Sequence, residues 1–217
     1  GAQIPLSNQI ARWISDLANP LFIPPCVLIL VGTLVDLSLL EMSWLVLLSI
    51  LFYTAIPFIT ALSMLNSGKI ESLDLPDRAS RNLLYLAGVG SATLGSLILG
   101  FMFYLHRPFL TLIAGVFVIN PVIGYLLNRK WKVSIHAGSI ASGGIILLFF
   151  YYWTPEMTGL IALFFSLTML LVLLPVMMWS RFNLGVHSLP ELLGGATSGI
   201  VFTSLEILLT FYFWQPL

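Results

Sequence analysis

The residues with the clearest capacity for chemistry lie in one short polar segment between two apolar stretches. It contains Ser180-Arg181, then five residues, then His187, then three residues and Glu191. Because His187 and Glu191 are four positions apart, a helix places their side chains on the same face. A carboxylate bound to one imidazole nitrogen selects the tautomer and leaves the other nitrogen available for nucleophilic attack. Arginine matches the oxygens of a phosphate group, and the helix that begins near Ser188 points its first N–H groups at a bound anion.

Glu191 also has a second interpretation. Ser188-Leu189-Pro190-Glu191 is a capping box, with serine at the N-cap, proline in the first turn and glutamate at the third helical position. On this interpretation the carboxylate only satisfies the first N–H groups of the last apolar helix. The spacing alone leaves both roles open, as it leaves open that His187 is a passive histidine at the membrane interface.

Two further polar segments carry residues of the same types. One contains Ser134 and His136, and the other contains Lys69, Arg78 and Arg81. Arg78 and Arg81 are three positions apart, so a helix places them on one side, where they could bind phosphate. The alternatives are an ordinary basic loop beside a membrane and a lone interfacial histidine.

The elements that must position these residues are membrane helices. Of the 217 residues, 59% are hydrophobic and only 8% are charged, whereas a soluble domain is about 25% charged. The mean hydropathy is +1.01 and the formal net charge is zero. This composition excludes a soluble globular enzyme, a disordered chain and a nucleic-acid binder, which would need a basic surface.

Seven apolar stretches approach or exceed the roughly 17–25 residues that cross about 30 Å of hydrocarbon. We therefore predict a single domain over residues 1–217, folded as an all-α polytopic membrane bundle with six to seven transmembrane helices. The stretches are 21–39, 43–65, 83–105, 109–127, 138–153, 157–178 and 193–213.

A short amphipathic helix precedes these stretches. Residues 6–18 place Leu6, Ile10, Trp13, Ile14 and Leu17 on one helical face, which favours a helix lying at the membrane interface. The alternative is a simple lead-in to the first span.

Seven crossings would bring the three polar segments to the membrane face that carries the N-terminus, which we call face X. With Arg12, eight of the nine Lys and Arg residues then lie on face X, together with His136 and His187, and only Arg107 lies opposite. An excess of Lys and Arg is typical of cytoplasmic loops, so one explanation is topological. That explanation does not predict the histidines, whereas a phosphate site does.

The segment with His187 closely resembles the third motif of the type 2 phosphatidic acid phosphatase superfamily, Ser-Arg-x5-His-x3-Asp. Gly185-Val186 before the histidine and Gly194-Gly195 before the apolar helix fit as well, while Glu191 departs from the aspartate by one methylene. The resemblance implies that His187 is the nucleophile, that Glu191 orients it, and that Arg181 holds phosphate oxygens.

The other two segments match the family's motifs less closely. Ser134 and His136 fall in register with its second motif, Pro-Ser-Gly-His, which implies that His136 is the general acid and that Ser134 binds phosphate. The first motif is Lys-x6-Arg-Pro. Here Arg78 and Arg81 have no following proline and Lys69 lies two positions too early, but all three are implied phosphate ligands.

We therefore expect an integral membrane enzyme that hydrolyses a lipid phosphate or diphosphate through a phosphohistidine intermediate. Substrates of this type are phosphatidate, phosphatidylglycerol phosphate and polyprenyl diphosphates. The expected partner is the membrane lipid itself, with no metal, other cofactor or nucleic acid. The alternative is a transporter or flippase for lipids or small anions, in which Glu206 in the last span couples ions.

The location follows from two further patterns. Asn19–Pro24 resembles the entry of a divergent bacterial branch of the family, so we expect a bacterial inner membrane. The Lys and Arg bias favours a cytoplasmic face X, although the family resemblance suggests an outward-facing site.

Overall fold

The computed structural model describes residues 5–70, 78–104, 107–154 and 157–214, with only the backbone for residues 78–81 and 214. Over these ranges the chain is helical and contains no strand, which confirms the predicted all-α class. We number the helices in chain order. They are α1 (Leu6–Leu17), α2 (Ile23–Leu34), α3 (Leu39–Asn66), α4 (Arg78–Phe103), α5 (Pro108–Asn128), α6 (Ile135–Trp153), α7 (Met157–Asn183) and α8 (Leu189–Trp214).

Within the described ranges, six helices, α3 to α8, are long and apolar enough to cross a membrane, so this is an integral membrane protein. The first of the seven predicted stretches, 21–39, is not helical over its whole length. Helix α2 has 12 residues, or about 18 Å at 1.5 Å per residue, which is short of the roughly 30 Å of hydrocarbon. Helix α2 ends at Leu34, before a turn in which Asp36 has a φ of 54°. The capping box of Ser38 and Glu41 then starts α3 at Leu39.

Two of the spanning helices contain one wide turn each. In α3 the N–H of Ile56 donates to Leu51, and in α7 the N–H of Leu174 donates to Met169, so both bonds span five residues. Each wide turn is followed directly by a proline, Pro57 or Pro175. Proline removes a backbone donor and its ring clashes with the preceding turn, and a local π-turn accommodates both effects inside a continuous helix.

Buried polar contacts set the relative heights of α3, α4 and α5. The hydroxyls of Tyr53 and Ser96 both donate to the carbonyl of Ala114, at 3.2 and 2.7 Å. From this level, α3 runs 13 residues to its end at Asn66, α4 reaches back 14 residues to Asn82, and α5 runs 14 residues to its end at Asn128. These lengths are each about 20 Å along a helix, so Asn66, Asn82 and Asn128 lie at one membrane face. Asn128 confirms it by donating to Asn82 Oδ1 at 3.0 Å.

The same face carries the connections α5–α6 and α7–α8. Asn120 Nδ2 donates to Ser142 at 3.0 Å and to Thr203 at 2.8 Å, which aligns α6 and α8 with α5. All three polar segments of the sequence therefore approach face X.

Helix α1 lies on face X beside the end of α7. Ala11 and Ser15 are buried against it, whereas Leu6, Trp13 and Leu17 are each at least 70% exposed. The exposed apolar side is the one that the sequence predicts for contact with lipid.

Candidate functional site

His187 and Glu191 form a direct pair at the start of α8. Nδ1 of His187 lies 3.1 Å from Oε2 of Glu191, and the two side chains are 8% and 20% exposed. The same carboxylate oxygen accepts a hydrogen bond from the N–H of Ser188, also at 3.1 Å. The two interpretations of Glu191 are therefore compatible, because one oxygen both caps the helix and binds the histidine.

The turn before α8 explains how the pair is presented. Helix α7 ends at Asn183, and Gly185 adopts a φ of 68°, which glycine tolerates without a steric cost. The chain then reverses within five residues, and α8 starts at Leu189 with Pro190 in its first turn. This places His187 immediately outside the helix and Glu191 inside its first turn.

The surroundings of His187 keep its imidazole neutral. Burial, followed by the nearby cations Arg181 and Lys132, lowers the pKa of His187 from its ordinary 6.5 to about 4, although Glu191 acts in the opposite direction. Because Glu191 accepts at Nδ1, that nitrogen carries the proton of the neutral ring. The lone pair at Nε2 is then free, as a nucleophile requires.

His136 is held next to this pair by the first turn of α6. The N–H of Ser134 donates to the carbonyl of Glu191 at 3.0 Å, which ties the start of α6 directly to the first turn of α8. The hydroxyl of Ser134 accepts from the N–H of Ala137 at 3.4 Å and caps α6. His136 is partly buried and close enough to Arg181 and His187 to interact with both electrostatically.

Glycines make this approach of α6 and α8 possible. A Cβ atom on Gly195 would lie 2.3 Å from the carbonyl oxygen of Ser134, and one on Gly199 would lie 2.3 Å from that of Gly138. Both neighbours are backbone atoms, which cannot move aside cheaply. The close crossing that brings His136 towards His187 therefore requires glycine at both positions of α8.

Arg181 is the most buried charged group of the site. It lies in the last turn of α7, is 3% exposed, and donates from Nη1 to the hydroxyl of Ser15 in α1 at 2.8 Å. Its charge acts on both His136 and His187. The guanidinium therefore contacts α1 directly and interacts electrostatically with the two histidines.

Lys132 is a site residue that the sequence reasoning placed on face X but did not select. Its Nζ donates to the carbonyl of Val186 at 2.8 Å, and its charge acts on both His187 and Glu191. It ties the α5–α6 connection to the α7–α8 turn. The sequence signal that could have indicated Lys132 is its position, two residues before Ser134 in a very short connection.

The residues of the first polar segment lie apart in what the structure describes. Lys69 is exposed just after α3, where its N–H donates to Met64. Arg78 opens α4 on face X, but the side chains of Arg78 and Arg81 lie outside the described residues. The structure thus unites Arg181, His136, His187, Glu191 and Ser134, while the phosphate-binding roles of Lys69, Arg78, Arg81 and Ser134 stay predictions.

Within the described part of the chain, His, Cys, Asp and Glu side chains form no group of three or more that could hold a metal ion. The fold and the site together define an integral membrane protein whose histidines and cationic side chains converge at one membrane face. Comparison with family models, curated proteins and solved structures found no match.

Proposed function

We propose that this protein is a membrane phosphatase that removes phosphate from a lipid phosphate or diphosphate through a phosphohistidine at His187. One observation carries the proposal. Nδ1 of the neutral His187 is bound to Glu191, which leaves the lone pair of Nε2 for attack, and the charge of the buried Arg181 acts on both His187 and His136. The resemblance of Ser180–Glu191 to the third motif of the type 2 phosphatidic acid phosphatases supports the same reading.

The first step transfers the phosphoryl group to the histidine. The lone pair of Nε2 forms the N–P bond while the bond from phosphorus to the leaving lipid oxygen breaks. The proton on His136 passes to that oxygen, so no free alkoxide is released. A bound phosphate places negative charge beside His136 and so favours its protonated form.

The second step releases inorganic phosphate. A water molecule attacks phosphorus, the N–P bond breaks, and the proton of the water returns to His136. Arg181 stabilises the charge on the phosphate oxygens in both steps, and Glu191 stabilises the positive charge that the ring of His187 carries while it is phosphorylated. The lipid tail remains in the bilayer between helices.

The test is phosphate release from purified protein in detergent, over a panel of phosphatidate, phosphatidylglycerol phosphate and a polyprenyl diphosphate. We expect turnover of at least one lipid. We expect His187→Ala to abolish it, because in the proposed mechanism only His187 accepts the phosphoryl group. His106→Ala is the matched control, since the sequence places this third histidine on the opposite face. Wild-type turnover in His187→Ala would contradict the proposal.

Glu206 favours a second candidate function, a transporter or flippase. Both of its carboxylate oxygens are buried in α8, and neither has a hydrogen-bond partner within the described residues. An intramembrane carboxylate of this kind is typical of ion and proton pathways. Detergent discriminates the two functions, because hydrolysis proceeds in micelles whereas transport is measured only across sealed vesicles.

We propose that the protein lies in a bacterial inner membrane with face X towards the cytoplasm, because Lys and Arg are concentrated on that face.

A further inference from the structure

We propose that Ser15 in α1 is a positioning residue for Arg181, so that the amphipathic helix is a working part of the phosphate site. This inference rests on the proposed function and deepens it. None of the family motifs in the sequence extends to α1, and Ser15 is 166 positions away from its partner.

The contact between the two residues is short and shielded from solvent. Nη1 of Arg181 donates to Oγ of Ser15 at 2.8 Å, and the residues are 3% and 2% exposed. A guanidinium is planar, with its five N–H donors in a fixed geometry. Fixing one terminal nitrogen in a set direction therefore restricts where the remaining donors point.

A phosphate at His187 would bind Arg181 through donors that Ser15 does not use. The charge of Arg181 acts on His136 and His187, which lie on α6 and in the turn before α8. Ser15 thus holds one terminal nitrogen of the guanidinium from a helix that carries neither histidine. Loss of this bond removes one of the contacts that orient the arginine, and phosphate binding must then restrict the rotational freedom that is regained.

Other contacts hold α1 in place independently of Arg181. The hydroxyl of Ser180 donates to the carbonyl of Ala11 at 2.6 Å, and Nδ2 of Asn183 donates to Oδ1 of Asn8 at 2.8 Å. Asn8 therefore provides a matched control in the same helix. Its bond to α7 has the same length as that of Ser15 but does not involve the guanidinium.

The experiment compares Ser15→Ala, Ser15→Cys and Asn8→Ala in the full-length protein in detergent. Cysteine keeps the volume of serine but is a weak acceptor, so it separates the hydrogen bond from packing. For each variant, kcat, KM and the inhibition constant of orthovanadate are measured with one lipid phosphate, together with the thermal unfolding midpoint.

We expect both Ser15 variants to raise KM and the orthovanadate inhibition constant roughly tenfold, the size of a lost hydrogen bond to a charged group. The change in kcat should be smaller, because the phosphate is held in the ground state as well as the transition state. Asn8→Ala should leave both constants within about twofold of wild type, even where its unfolding midpoint falls as much as that of Ser15→Ala.

Equal effects of Ser15→Ala and Asn8→Ala on orthovanadate would overturn the proposal, because α1 would then act only as packing. Wild-type inhibition in Ser15→Cys would overturn it as well. If the wild type hydrolyses lipid phosphates and His187→Ala does not, either result contradicts only the role of Ser15 and leaves the proposed function intact. If the wild type releases no phosphate from any lipid, the proposed function fails and this inference fails with it.

Discussion

At the scale of single residues, one histidine and one carboxylate carry most of what the site can do. Their four-residue spacing already indicates a pair, since helical geometry brings such positions together. The structure adds that Oε2 of Glu191 serves His187 and the N–H of Ser188 at once. An ionised carboxylate accepts several hydrogen bonds, so Glu191 can orient His187 and cap α8 at the same time.

The pH dependence of catalysis is the first prediction at this scale. The pKa of His187 is lowered to about 4 by burial and by Arg181 and Lys132. The nucleophile therefore stays neutral down to about pH 4. As the pH is lowered, kcat/KM should fall near pH 4 rather than near pH 6.5. The measurement is kcat/KM against pH with a lipid phosphate in detergent. A fall in kcat/KM that is already under way at pH 6.5 or above would contradict the prediction.

A charge-removing variant separates His187 from the titration of the substrate. Lys132→Gln keeps an N–H donor for Val186 but loses the charge that lowers the pKa of His187. Its acid limb should move to higher pH, whereas the ionisation of a lipid phosphate is the same for both proteins. The other charged and titratable groups that interact with His187 are Arg181, Glu191 and His136, and the Lys132→Gln variant leaves all three unchanged.

The same shift has a consequence for stability. The folded pKa of about 4 lies below the ordinary 6.5, so between these values the unfolded chain binds more protons at this position. His187 therefore makes the folded state less stable as pH falls from about 6.5 to 4, and its contribution is constant above that window.

At the scale of helices, the boundaries follow from local signals. The capping box Ser188–Glu191 predicts the start of α8 correctly. Ser38-Leu39-Leu40-Glu41 has the same pattern and starts α3 at Leu39. Helix α2 ends earlier, at Leu34, before the turn at Asp36. Hydropathy counts apolar residues without detecting such a turn, and it therefore predicts a longer first span over 21–39.

The crossing of α6 and α8 provides a prediction at this scale. Gly199→Ala would place a methyl group 2.3 Å from the carbonyl oxygen of Gly138, and the two helices would have to separate. We expect a loss of about 1–3 kcal/mol in stability, typical of overpacking, and a lower kcat/KM because His136 moves with α6. The thermal unfolding midpoint and phosphate release in detergent measure the two effects.

Gly115→Ala in α5 is the control, because a Cβ atom there meets nothing within 4 Å. It should leave both quantities close to wild type, or raise stability slightly through the helix propensity of alanine. If Gly199→Ala behaves in the same way, the close crossing does not position the histidines.

At the scale of the whole molecule, the orientation in the membrane is open to direct labelling. The single native cysteine, Cys26, is first replaced by alanine. Cysteines are then introduced singly at Ser67 and Arg129, exposed on face X, and at Tyr104, which lies after α4 on the opposite face. An impermeant maleimide on intact cells should label Tyr104→Cys alone if face X is cytoplasmic.

The reverse pattern would place face X outside and contradict the proposed orientation. Different labelling of Ser67→Cys and Arg129→Cys would contradict the shared face itself. Permeabilised cells are the control, since all three cysteines should then react.

The sequence by itself determined the membrane class, the helices and the His187–Glu191 pair, because apolar length and helical spacing are local properties. It also indicated one common face, since alternate crossings bring alternate connections together. Only the tertiary structure decided that Arg181 binds Ser15, that Lys132 binds Val186, and that His136 is close enough to His187 to interact with it. These interactions join segments that are distant in the sequence, and the approach of α6 to α8 depends on glycines that let two backbones come close. Periodicity along one chain does not specify such distances between helices.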